Sequence, residues 1–271
     1  MRRLALISAG SLLAGTALAA HVILAAVPIG RMDLPWWRAR FLAKQHDIAD
    51  GRFGLIYYGD SITQNFERVG KTPDSDWPAV WQRFYGRYHP INLGFIGDTT
   101  ASLLWRLDHG EGKVRGIDGP PRAAILLIGA NNLGRPHWGA AETLAGIAAD
   151  IDAIHHHLPD THIILVSVLP ADRGPWVAAN TGAINAGLGA RYGAGTVPYV
   201  TYVDVTSVFM RHGRVDDSLF IDPHLRPPGP PLHPNATAAA DIAERVAPAV
   251  GRAMESKPDR SFLEKRTKKL L

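Results

Sequence analysis

Cysteine is absent from all 271 residues. That excludes disulfide bonds and thiolate metal sites, and it leaves both oxidising and reducing compartments open. No internal repeat is present, and no second domain is required. Charged residues make up only 20% of the chain, and the net charge is +4. Part of that excess lies in the C-terminal stretch 257–269, so residues 255–271 read as a solvated basic tail. A nucleic-acid surface would interleave a basic patch with aromatic residues, which this sequence does not do, so no nucleic-acid partner is expected.

What the chain does have is apolar content, 46% of its residues, enough for one globular domain with a sizeable core and extra segments at the ends. Arg2 and Arg3 precede an uncharged run over residues 4–30, interrupted only by His21. Residues 1–30 therefore read as an export signal or a membrane anchor. Ala17-Leu18-Ala19 offers a small-x-small cleavage site before Ala20, whereas an uncut run over 4–28 is long enough to tether the chain to a bilayer. Arg31, Arg38, Arg40 and Lys44 follow, so positive charge flanks both ends and orientation is not decided. Either reading exports the rest of the chain to a periplasmic or secreted location; a buried N-terminal helix is the alternative. Residues 31–51, with Pro35-Trp36-Trp37, read as a connector.

From residue 52 to 254 short apolar runs alternate with longer amphipathic ones, a pattern that predicts a parallel sheet covered by helices on both faces. Strands are expected over 55–58, 90–93, 123–128, 162–168 and 199–203. Helices are expected over 77–87, 100–107, 140–157, 176–192 and 236–254. The biased stretch from Pro223 to Pro231 is too rich in proline for a helix or central strand and reads as a stiff loop.

Four polar blocks fall at predicted strand ends or just before the last helix: Gly59-Asp60-Ser61, the run from Asn92 to Thr100 around Gly97, Gly129-Ala130-Asn131-Asn132, and Leu232-His233-Pro234-Asn235. Asp-Ser after a strand is often only a helix cap. Parallel strands end on one side, however, so these loops can converge there. Together they supply the parts for ester cleavage. A serine hydroxyl needs a base to take its proton as it attacks, and His233 can be that base. The resulting oxyanion needs donors already aimed at it, which the N–H groups of Ser61 and Gly97 and the amide of Asn131 can provide.

The four blocks, in this order, resemble the SGNH (GDSL-type) hydrolase superfamily, with Ser61, Gly97, Asn131 and His233 as its eponymous residues. The similarity is greatest to the platelet-activating-factor acetylhydrolase-like branch, through Gly97-Asp98-Thr99-Thr100, Leu104-Trp105-Arg106-Leu107, Gly129-Ala130-Asn131-Asn132, Asn180 and Ile184-Asn185. The resemblance covers about residues 54–250. It implies a flavodoxin-like three-layer α/β/α sandwich with a five-stranded parallel sheet. It also implies hydrolysis of small, acetyl-like acyl esters of a lipid, glycan or small molecule through an acyl-serine, with no metal or organic cofactor. An O-acyltransferase acting on a sugar hydroxyl and a catalytically silent carbohydrate-binding module are the alternatives on the same fold.

The family places an aspartate three residues before the histidine, and here that position is Pro230. Leu219-Phe220-Ile221-Asp222 resembles the family's approach to that aspartate, as if the proline-rich loop had been inserted after it. Asp222 is thus the expected third member of the triad. Asp217 and a dyad completed by a backbone carbonyl remain alternatives, as does His224 for the base. Asp60 is expected to hydrogen-bond within its own turn, and Asp98 to cap the helix at Thr100 or orient the Gly97 loop. Asn132 is either a pocket or a turn residue. His155-His156-His157 point in different directions on a helix and read as a polar helix end, not a metal site. Trp105, Trp138 and Trp176 could line an acyl or sugar site, but most tryptophans in a domain of this size are partly buried core, so none is assigned a role.

Overall fold

The computed structural model describes residues 22–70 and 76–255. The expected leader up to residue 21 and the tail beyond residue 255 lie outside the described residues. Five parallel strands, β1 (Leu55–Gly59), β2 (Pro90–Gly94), β3 (Ala123–Leu127), β4 (His162–Val166) and β5 (Val200–Val203), form one sheet in the order β2-β1-β3-β4-β5. Every residue of β1 and β3 is buried, as continuous apolar runs such as Leu55-Ile56-Tyr57-Tyr58 require when helices cover both faces. The five expected strands and five expected helices all form, with ends shifted by a few residues.

The helices are α1 (Pro35–Asp50), α2 (Ser61–Gln64), α3 (Pro78–Tyr85), α4 (Thr100–Asp108), α5 (Ala140–His157), α6 (Pro175–Tyr192) and α7 (Ala236–Glu255). α3 packs against α7, while α4, α5 and α6 pack side by side in that order. A two-stranded hairpin, β6 (Met210–Arg211) and β7 (Arg214–Val215), follows β5, turning at His212 and Gly213 with φ of 49° and 76°. Two consecutive positive φ values suit a tight hairpin turn.

The N-terminal region carries structure that its sequence does not announce. Within residues 31–51, read as a connector, α1 occupies most of the stretch. Pro35 starts it, and it buries Trp37, Phe41 and Ile48 on one side. Trp37 stacks on Phe41 (ring centroids 5.6 Å apart) and both meet Trp105 of α4, while Trp37 also packs on Phe95. These aromatics form a small satellite core next to the main one. The tail of the apolar run is not part of a long helix. Leu24–Ala26 forms a single 3-10 turn, with Ala25 fully buried. The Ala25 carbonyl accepts from Thr100 Oγ1 (2.7 Å), and Ile29 N–H donates to Ala101 O (2.9 Å). Among the described residues no helix is long and apolar enough to cross a membrane.

Candidate active site

The order β2-β1-β3 reverses direction beside β1, and in open α/β sheets ligands bind at the carboxyl ends of strands at such a point. Ser61 follows β1, Gly97 follows β2 and Asn131 follows β3, so the reversal gathers three of the blocks around one edge. Gly59 ends β1 where a Cβ would lie 2.5 Å from Leu127 O and 2.2 Å from Thr63 Oγ1. No larger residue fits that bend. Asp60 then caps α2, its Oδ1 accepting from Ile62 N (2.9 Å), in the turn role expected of it. Ser61 is the first residue of α2, so its N–H has no carbonyl partner within the helix.

The fourth block arrives from the other end of the domain. Ser61 Oγ lies 2.9 Å from His233 Nε2, and His233 Nδ1 lies 2.7 Å from Asp222 Oδ1. The other carboxylate oxygen, Oδ2, accepts from His233 N (2.6 Å) and Leu232 N (3.0 Å). The inserted loop is closed at its neck by antiparallel pairing. Phe220 bridges Pro234, Ile221 N donates to His233 O (2.8 Å) and Asn235 N to Leu219 O (2.8 Å). The neck sets Asp222 opposite His233 although the two are 11 residues apart. Asn235 Oδ1 accepts from Ala238 N (3.0 Å) in the first turn of α7, which ties the histidine to a rigid element. Partial burial acts to raise the Asp222 pKa, but the hydrogen bonds from the imidazole and from the backbone N–H groups of His233 and Leu232 prevail and hold it below the usual carboxylate value. Asp217 and His224 are exposed, and neither pairs with His233 or Ser61.

Gly97 is the third residue of a turn closed by Asp98 N donating to Phe95 O (3.2 Å), and its φ is +74°. Positive φ at that position alone is what a type II turn demands of glycine. The turn's own hydrogen bond does not use the Gly97 N–H. Asn131 Nδ2 donates to Asp98 O (2.9 Å) and lies 3.4 Å from Asp60 Oδ2, so its amide sits between the Gly97 turn and the Ser61 turn.

Asp98 is not the helix cap, since Thr99 takes that place, its side chain accepting from Ser102 N. Asp98 is instead buried beneath the turn. Its Oδ1 accepts from Trp37 Nε1 (2.7 Å) and Arg31 Nη1 (3.0 Å), and its Oδ2 from Arg106 Nε (2.8 Å). Arg106 also bonds Glu111, and its other N–H groups reach Leu93 O (3.2 Å) and Gly59 O (3.1 Å) at the ends of β2 and β1. Burial nonetheless raises the pKa of Asp98, and that of Glu111 to about 7. Asp60 is likewise pushed up to about 7, first by burial and further by Asp98, against the Ile62 N–H, His233 and Arg173.

Several residues at the site carry no motif. Arg173, in the loop between β4 and α6, donates from Nη2 to Ala130 O (2.8 Å) beside Asn131 and lies within electrostatic reach of Asp60 and Asp222. Arg31 and Trp37 reach Asp98 from the N-terminal region. No sequence signal singles them out, because each acts through partners far away in the chain.

The remaining expectations resolve into packing. Asn132 is fully buried, its Oδ1 accepting from Thr100 N (3.1 Å) and its Nδ2 donating to Thr100 Oγ1 (2.8 Å). Asn180 caps α5 by accepting from Ala140 N (2.8 Å), and Asn185 clamps Val168 through both its N–H and C=O. His155 stacks on Tyr199 and His157 bonds Asp108. Trp105 packs in the satellite core, whereas Trp176 is 36% exposed and stacks on His137.

A strand-end serine, a histidine and a carboxylate in hydrogen-bonded series on a flavodoxin-ordered sheet define the class of α/β hydrolytic folds with a serine at the switch point. The chain belongs to the GDSL-like lipase/acylhydrolase family, whose model matches residues 57–240. Among curated proteins it is similar to the human platelet-activating factor acetylhydrolase IB subunit alpha2, 28% identical over 155 residues, 56% of this chain and 60% of that protein. The chicken protein of the same name is 27% identical over 154 residues, again 56% and 60%. The match thus spans 60% of the length of these relatives. Among solved structures, a GDSL-like lipase from Bacteroides thetaiotaomicron superposes with a TM-score of 0.58 at 16% identity, over 79% of this chain and 97% of that one. A carbohydrate esterase family 3 protein from Talaromyces cellulolyticus gives 0.55 at 15% identity, over 74% and 97%. At these identities the structures speak to the fold alone.

Proposed function

We propose that the protein is a serine esterase acting on small, acetyl-like acyl esters of a lipid, glycan or small molecule. The observation that carries this reading is the hydrogen-bonded series from Ser61 Oγ through His233 to Asp222, at 2.9 and 2.7 Å. The Nδ1–H bonded to Asp222 leaves Nε2 as the acceptor facing the hydroxyl, the tautomer a general base needs. Ser61 Oγ attacks the ester carbonyl carbon as its proton passes to Nε2, and Asp222 stabilises the imidazolium. The N–H groups of Ser61 and Gly97 and the amide of Asn131 receive the developing oxyanion. Collapse expels the alcohol, protonated by His233, and water then releases the acid by the reverse proton path. The small-acyl preference is supported by the curated relatives' names as acetylhydrolases. Export rests on Arg2, Arg3 and the apolar run behind them.

Turnover of an activated acetyl ester and labelling of Ser61 by a fluorophosphonate test the reading together. Ser61→Ala is expected to abolish both while leaving the thermal midpoint near that of the unaltered protein. Labelling at another residue, or undiminished turnover in Ser61→Ala, sinks the proposal. A panel of esters of graded acyl length tests the substrate class, with a sharp preference for acetyl expected.

A further inference from the structure

Residues 22–40 lie outside the stretch matched to the family, 57–240, yet they grip the Gly97 turn along its whole length. Arg40 Nε donates to Gly94 O (2.8 Å) where β2 ends. Arg31 Nη1 donates to Ile96 O (2.9 Å) and to Asp98 Oδ1 (3.0 Å), and Trp37 Nε1 donates to the same carboxylate oxygen. Beyond the turn, Ala25 O and Ile29 N–H bond Thr100 and Ala101. The Arg31 guanidinium lies against Gly97 itself, since a Cβ built there would be 3.2 Å from Nη1 and 3.3 Å from Nη2. Arg31 is fixed in turn by the Trp36 ring, 5.3 Å from its Cζ.

The geometry points to Arg31 and Trp37 as positioning residues that aim the Gly97 N–H at the oxyanion, so that the N-terminal strap adds to the hold that Arg106 and Asn131 have on the turn from within the family domain. The inference rests on the serine-esterase reading. A turn whose tip is exposed at Ile96 and followed by a positive-φ glycine is a poor place to fix a donor, and a donor that drifts by about 1 Å loses much of its value, on the order of 100-fold in rate. The strap answers that need by fixing the carbonyl before Gly97 and the carboxylate after it. Neither residue touches the acid–base pair, so the base should be unaffected when they are changed.

The test compares the full chain with its Arg31→Ala and Arg31→Lys variants, using p-nitrophenyl acetate kinetics and amide hydrogen exchange over residues 94–101. Arg31 is about a quarter exposed, so Arg31→Ala is the variant least threatening to folding. The expected result is a kcat about 10- to 100-fold lower, a fraction of what deleting a donor outright costs. KM should stay within about twofold, the acid limb of the pH profile should not move, and exchange should quicken in the turn while the rest of the domain is unchanged. Arg31→Lys should fall between, since an ammonium can serve Asp98 without covering Gly97. A kcat within about twofold of the unaltered chain overturns the inference, as does a raised KM with kcat kept, which would place Arg31 on the substrate. Unchanged exchange with turnover intact in the unaltered chain removes only this inference. Failure of that chain to turn over ester or to label at Ser61 removes the esterase reading as well.

Discussion

The Asp222 carboxylate accepts three hydrogen bonds, two of them from backbone N–H groups that would remain after its charge was removed. Asp222→Asn is therefore expected to keep the loop folded while presenting His233 with a donor where it needs an acceptor. On the esterase reading kcat should fall by about 10³- to 10⁴-fold, as tautomer errors do in serine triads; near-normal activity would return the question to a dyad. Gly97→Ala is expected to lose about 1–2 kcal/mol of stability for holding a Cβ at positive φ, and to push against Arg31, lowering kcat further. Ser61, Gly97, Asn131 and His233 were legible in the sequence because each sits in a polar block directly after an apolar run or before an amphipathic one. Asp98 is left open between cap and loop support in the sequence, and takes the second role in the structure. Its three side-chain donors come from residues 31, 37 and 106, and nothing local announces them.

At the level of elements, the strands and main helices could be read from their periodicity because the sheet is buried on both faces and its covering helices are long. α1 escaped that reading. Most of its circumference is polar, and its buried Trp37 and Phe41 meet partners, Phe95 and Trp105, that lie more than fifty residues away. If α1 is an integral part of the domain, Phe41→Ala should cost about 3 kcal/mol, the lower end for a buried aromatic, and lower the urea midpoint accordingly. A freely tethered connector would leave that midpoint unmoved. The docking of residues 24–30 on α4 and α5 also decides where a shortened chain should start. A version beginning after residue 30 would lose the contacts of Ala25 and Ile29 with Thr100 and Ala101, so residue 22 is the better starting point.

For the whole molecule, the buried acids dominate the expected pH dependence of stability. Asp60 and Glu111 each have a folded pKa near 7, well above their unfolded values, because burial outweighs their partners. Asp98 and Asp150 are shifted in the same direction. Between about pH 4 and 7 the native state thus binds more protons than the unfolded one, and stability falls as pH rises through that window. Asp222, with its lowered pKa, works the other way only at acid pH. The thermal midpoint at pH 8 should lie below that at pH 5.5 by at least about 2–4 °C, the change about 1 kcal/mol produces in a domain of this size. A higher midpoint at pH 8 would contradict the raised pKa values. The neck that joins Asp222 to His233 has one more consequence, for how the chain can vary. Closing an 11-residue loop where three residues would suffice adds about 1 kcal/mol of chain entropy cost. The two backbone N–H bonds accepted by Asp222 Oδ2, each worth on the order of 1 kcal/mol, offset it. The exposed residues 224–228 can therefore change in length and composition almost without penalty while Asp222 and His233 keep their separation.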